Sequence, residues 1–163
     1  MRYLVVADIH GHLERLKPLM DSTMLLDGVI GAGDFYRDGQ WLADNFGVPY
    51  YGAQGNNDHE ETAAWITMWA VDHIRFGVIH GHQWVSSRRQ QGLWHFAESH
   101  RLDVVIFGHT HRRQHFVHGE TIFFNPGSVF RPRGFPPGVG WIAGETKDQL
   151  KIWWEDLPFS SKT

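Results

Sequence analysis

Five short apolar runs, each broken off by glycine, aspartate, asparagine or histidine, constrain this chain more than any other feature. The runs are Tyr3 to Ala7, Gly28 to Ala32, Pro49 to Gln54, Ile74 to Ile79 and Asp103 to Phe107. They end in Asp8-Ile9-His10, Gly33-Asp34, Gly55-Asn56-Asn57-Asp58, His80-Gly81-His82 and Gly108-His109-Thr110-His111. Runs this short and this uniformly apolar fit strands buried on both faces. Successive blocks lie about one strand–helix unit apart, and open α/β sheets collect ligands just beyond the carboxyl ends of their strands. The five tips therefore bring Asp8, His10, Asp34, Asn56, His80, His109 and His111 towards one place. Asp8 and His10 lie on the same side of an extended backbone; alone, that pair reads as a helix cap beside a structural histidine.

The intervening segments read as helices: His12 to Thr23, blemished by Pro18, Asp38 to Phe46, His59 to Ala70, and Ser86 or Ser87 to Arg101. In the third of these, Trp65 and Trp69 fall four apart, on one helix face. After His111 the pattern turns antiparallel. Gln114 to His118 and Thr121 to Phe124 flank a turn at Gly119 and read as a hairpin. Asn125-Pro126-Gly127-Ser128 makes a tight turn, Phe130 to Gly138 a loop, and Val139 to Ala143 with Leu150 to Trp154 a final strand pair. The expected class is α/β with an antiparallel C-terminal part, as one domain over 1–159 followed by a disordered tail at 160–163.

A length of 163 residues suits one domain with its own core. No apolar run approaches the roughly 18 residues of a membrane helix, and the N-terminus lacks the pattern of a signal peptide. A cytoplasmic protein with no membrane partner is expected. The net charge of -3 argues against bulk nucleic-acid binding. Cysteine is absent, which removes thiolate nucleophiles and sulfur-ligated metals. A metal here has to be held by oxygen and imidazole, and the chain has 12 histidines.

The ordered blocks Asp8-x-His10, Gly33-Asp34, Gly55-Asn56-x-Asp58, His80-Gly81-His82, Gly108-His109-x-His111 and Asn125-Pro126-Gly127-Ser128 resemble those of the calcineurin-like metallophosphoesterases. More narrowly, they are similar to the small single-domain YfcE-like phosphodiesterases. The resemblance implies a four-layer sandwich, in which two mixed β-sheets are flanked by helices around a binuclear metal site. It implies one ion on Asp8, His10, Asp34 and His111 and a second on Asp34, Asn56, His80 and His109, with Asp34 bridging. The implied activity is phosphoester hydrolysis, foremost of phosphodiesters and with phosphomonoesters also open, by in-line attack of a water or hydroxide held between two ions. Manganese is the expected ion, and Fe, Ni, Co, Zn or Mg also suit the donors.

Asp34, Asn56, His80 and His82 are the expected catalytic residues, and Arg37 and His12 the expected contacts to a small phosphoester, nucleotide-like molecules included. Asn57 departs from the family, which often has histidine or cysteine there. An amide does not transfer a proton near neutral pH, so turnover of poorly leaving alcohols is expected to be slow. A homo-oligomer is compatible with the resemblance. The alternative is a protein-binding scaffold of the same fold with weak or no catalysis.

Overall fold

The computed structural model describes residues 1–158. In the first sheet β1 (Arg2–Val6), β2 (Gly28–Gly31) and β3 (Tyr50–Gly52) run parallel, and β9 (Gly138–Ala143) and β10 (Lys151–Asp156) continue antiparallel beyond β1, in the order β10-β9-β1-β2-β3. The second sheet has the order β4-β5-β6-β8-β7, from β4 (Ile66–Val71), β5 (Ile74–Ile79), β6 (Val104–Ile106), β7 (Arg113–His118) and β8 (Thr121–Pro126). Its inner pairs β5/β6 and β6/β8 are parallel, and its outer pairs β4/β5 and β7/β8 antiparallel. Both sheets are thus mixed.

Alternation along the strands builds the layers. Tyr3, Val5 and Ala7 point between the sheets, where they meet Phe76, Val78, Val104, Ile106 and Phe124. Leu4 and Val6 point the other way, onto Leu16 and Leu19 and onto Leu42 and Ala43 of α2 (Tyr36–Phe46). On the far side of the second sheet, Val105, Phe107 and Phe123 meet Leu93, Phe96 and Ala97 of α3 (Ser86–His100). Both faces of the central strands are covered, which is why their runs are apolar without alternation. The result is the four-layer sandwich. Burying side chains of this size contributes about 1.5–3 kcal/mol each relative to exposure.

The elements depart from the sequence expectations in two places. His12 to Thr23 is not one helix: a 3-10 turn (Leu13–Leu16) passes into the single-turn α1 (Lys17–Met20). Pro18 sits in the first turn of α1, where its missing N–H costs nothing, and so marks a helix start. His59 to Ala70 is not a helix either. A loop leads into β4, whose period is two: Thr67, Trp69 and Val71 turn inward while Ile66, Met68 and Ala70 face out. Trp69 stacks between Tyr51 and Phe76, whereas Trp65 is half exposed in the loop. The expected tail at 160–163 and the domain boundary at 159 lie outside the described residues.

Both sheets deliver their strand ends to one edge. The Asp8 N–H donates to Gly33 O at 2.9 Å, and the Gly108 N–H to His80 O at 3.0 Å. Across the sandwich, a Cβ at Gly108 would stand 3.2 Å from both Ala7 Cβ and Asp8 Oδ2, and 2.8 Å from the Ala32 carbonyl oxygen. Only glycine lets the ends of β1 and β6 approach this closely.

Candidate metal centre

At that edge the chain turns back on itself directly after each strand. Asp8, His10, Asp34, His109 and His111 all have positive φ, between 49° and 68°. For residues other than glycine such conformations cost of order 1–3 kcal/mol each and gather at functional sites. Here they fold five polar side chains over the sheet ends. Ligand atoms of Asp8, His10, Asp34 and His111 lie within 4.8 Å of one another. Asp34, 3 % exposed, has Oδ2 at 3.5 Å from His10 Nε2 and Oδ1 at 3.4 Å from His80 Nε2. One carboxylate therefore presents an oxygen to each of two histidines that sit on different sheets. His109 joins the His80 side, with ring centroids 5.1 Å apart.

The surroundings fix which atoms of these rings are free. His80 Nδ1 lies 2.6 Å from Ala32 O, and His111 Nδ1 lies 2.7 Å from Arg131 O. A carbonyl only accepts, so each Nδ1 carries a proton, and in the neutral ring Nε2 is the position with the lone pair. Both Asp8 carboxylate oxygens, His10 Nε2 and His80 Nε2 are buried without a hydrogen-bond partner among the described residues. An unsatisfied buried group costs about 1–3 kcal/mol, and more when charged. Divalent cations satisfy all four atoms at once, and the oxygen and imidazole donors suit them.

Electrostatics agree with that donor set. Burial alone raises the Asp34 carboxyl, but His80, the Asn57 side-chain and backbone N–H groups and His10 outweigh it and hold the carboxyl below its usual range. Burial pushes His109 down to about 4 and lowers His10 and His82 as well. These rings are neutral lone-pair donors at ordinary pH. His111 moves the other way, raised by its interaction with Asp8, whose Oδ1 is 3.2 Å from Nε2.

The remaining expected residues are placed differently. Asn56 is exposed, and it is Asn57 that reaches Asp34, through its backbone N–H at 3.1 Å and through Nδ2 at 2.7 Å. His82 lies beside His80 with its Nδ1 unbonded and stands 5.6 Å from the Trp65 ring. His12 is bound to Glu14 at 2.9 Å and stacks on Phe130, and Arg37 is an exposed partner of Glu60. Neither side chain reaches Asp34 or Asp8 through these contacts.

Three supports escaped the sequence reading. The first is Asp58. Its Oδ1 accepts from the Phe35 and Tyr36 N–H groups at 2.8 and 2.7 Å, and its Oδ2 from the Gly55 N–H at 2.7 Å. It thereby caps α2 from the neighbouring loop. Ser128 Oγ donates to Asp8 O at 2.9 Å and pins that turn. Arg89, on α3, holds the Gly81 and Trp84 carbonyls. Nothing in sequence separates it from an ordinary surface arginine.

The sequence profile of the calcineurin-like phosphoesterase superfamily domain matches residues 1–148. The chain belongs to that superfamily. Within it, the chain is 32 % identical over 141 residues to a probable metallophosphoesterase of Mycoplasma pneumoniae, with 81 % of each chain covered. It is 25 % identical to a phosphodiesterase of Methanocaldococcus jannaschii, covering 93 % of this chain and 98 % of that one. Vps29 of Entamoeba histolytica, solved complexed with Zn2+, shares the fold with a TM-score of 0.75 at 18 % identity, over 96 % of this chain and 99 % of that one. The calcineurin-like domain takes in every tip residue described above. No helix among the described residues is long and apolar enough to cross a membrane.

Proposed function

We propose that this calcineurin-like phosphoesterase is a binuclear, metal-dependent phosphodiesterase. The observation that carries the reading is Asp34, with one oxygen towards His10 and the other towards His80, amid buried donor atoms that have no partner. Asp8, His10, Asp34 and His111 would hold one ion, and Asp34, Asn56, His80 and His109 the other, with manganese the assigned metal. Bound there, two divalent cations supply positive charge for the phosphoryl oxygens and lower the pKa of a water for in-line attack. The chain's own work is to hold the donors. Asn57 fixes the Asp34 carboxylate, the Ala32 and Arg131 carbonyls set the tautomers of His80 and His111, and Ser128 anchors Asp8.

Proton delivery to the leaving group is the weak point. Asn57 cannot supply it, and His82 is held below the usual histidine range by burial and by His80. Good leaving groups such as nitrophenolate are therefore the expected fast substrates. Purified protein should hold two manganese ions per chain and hydrolyse bis(p-nitrophenyl) phosphate only when metal is present. One ion or none, with no hydrolysis, would favour the scaffold alternative. That alternative accounts for the fold and leaves the unpartnered Asp8, His10 and His80 atoms unexplained.

Metal uptake carries a pH signature. His10, His82 and His109 are lowered and do not hold protons near neutrality, whereas Asp8 raises His111 above the ordinary value of 6.5. A cation on His111 must displace its proton, so this ring contributes a rise in affinity of up to about tenfold per pH unit until it is neutral, and none beyond. Calorimetric titration with manganese from pH 6 to 8 reads this directly. An affinity independent of pH would remove His111 from the ligands.

A further inference from the structure

Beside Asp34 a cavity of about 470 Å³ opens between the start of α2 and the loop at 55–60. Its walls include Phe35, Arg37, Asp38, Asn57 and Glu60. Two of these also touch the metal centre: Asn57 donates to Asp34 at 2.7 Å, and the Phe35 ring lies 5.2 Å from the His10 ring. The cavity therefore adjoins the metal centre. Its volume falls within the roughly 300–1,000 Å³ typical of small-molecule sites.

Phe35 is the anomaly in this recess. Its φ is 74°, a region where glycine or asparagine is expected and a bulky residue is an outlier. Its ring is 40 % exposed, so core packing does not explain the choice. The hydrogen bond that fixes its backbone, from its N–H to Asp58, is available to any residue at that position. What phenylalanine adds is a flat apolar ring at the mouth of the metal centre, a surface on which another planar group stacks.

Charge narrows the class further. Asp38, Asp58 and Glu60 outnumber Arg37, and Arg37 is already paired with Glu60. A second phosphate or an acidic peptide is repelled here, whereas a neutral heteroaromatic group with N–H donors finds acceptors on Asp38 and Glu60. We propose that this cavity is the subsite for one ester arm of the substrate, with Phe35 stacking on a neutral planar group. The substrate class is then a phosphodiester of a nucleoside-sized alcohol bearing a heteroaromatic base. The proposal rests on the hydrolase reading above.

The test compares binding of adenosine 5′-monophosphate and of methyl phosphate to the manganese-loaded protein by calorimetry. The natural chain is expected to favour the adenosine ester by about tenfold or more, within the range that one base–aromatic stack delivers. Phe35→Asn removes the ring and suits the left-handed backbone, so it should cut that ratio below about threefold, while Phe35→Trp should keep it. Equal affinities in the natural chain, or an unchanged ratio in Phe35→Asn, would overturn the subsite while leaving the hydrolase reading intact. Failure of both phosphates to bind, together with absent turnover, would sink both.

Discussion

Replacing Asp34 by asparagine is expected to lower phosphodiester hydrolysis by at least about 10³-fold, more than the 10–100-fold that loss of a merely orienting residue costs. The asymmetry of the site makes this sharp. Asp34 faces both His10 and His80, so under the proposed binuclear arrangement neutralising it would weaken the holding of two ions at once and remove negative charge that balances them. The metal-free fold should survive. An asparagine oxygen still accepts from Asn57 Nδ2, and its amide can donate to the lone pair of His80 Nε2, in exchange for the bond from the Asn57 backbone N–H. That trade is worth about 1 kcal/mol or less. Thermal unfolding with and without manganese separates the two effects. The natural chain should gain stability from the ion by mass action, and Asp34→Asn should unfold near the metal-free temperature in either case. Retained activity, or a retained metal-induced shift, would remove Asp34 from the bridging role proposed for it.

The strand tips were legible because burial on both faces writes itself into sequence as continuous apolar runs, and the turns that follow need particular residues. β1, β2, β5 and β6 fall where their runs lie for that reason. The hairpin of β4 and β5 was not legible. Its two-residue turn is Asp72-His73, both with positive φ, at 49° and 68°, where glycine would ordinarily signal such a turn. Without that marker the tryptophans at 65 and 69 read as a helical pair, although the residues of β4 alternate with a period of two. The 4.8 Å gathering of Asp8, His10, Asp34 and His111 follows from tips that sequence spacing could align. The supports behind them do not, because they join distant segments: Ser128 to Asp8, Arg131 to His111, Ala32 to His80. Asn57 is a divided case. Its chemistry was readable as a lost proton donor, but its two hydrogen bonds to Asp34 depend on how the loop at 55–58 folds over β2.

Asp58 is where fold and site are most tightly joined, and Asp58→Ala is expected to cost about 3–5 kcal/mol of stability in the metal-free protein. One carboxylate, 8 % exposed, serves three backbone donors in two segments: Phe35 and Tyr36 at the start of α2, and Gly55 in the neighbouring loop. Hydrogen bonds to a charged acceptor contribute about 1.5–3 kcal/mol each, less than additively when they share it. A negative charge at a helix N-terminus adds a further few tenths to about 1 kcal/mol. Phe35 has no side-chain acceptor of its own, so alanine at 58 leaves the first turn of α2 uncapped. Asp58→Asn keeps an oxygen for Phe35 and Tyr36 but turns its amide towards the Gly55 N–H, and should lose about half as much. Urea denaturation of the three proteins measures the series. Manganese affinity should fall in parallel, because Asp34 and Asn57 lie on the two segments that Asp58 ties together. A loss under about 1 kcal/mol for alanine would mean that water replaces the carboxylate at all three donors. The register between Asp34 and Asn57 would then be set by their own two hydrogen bonds.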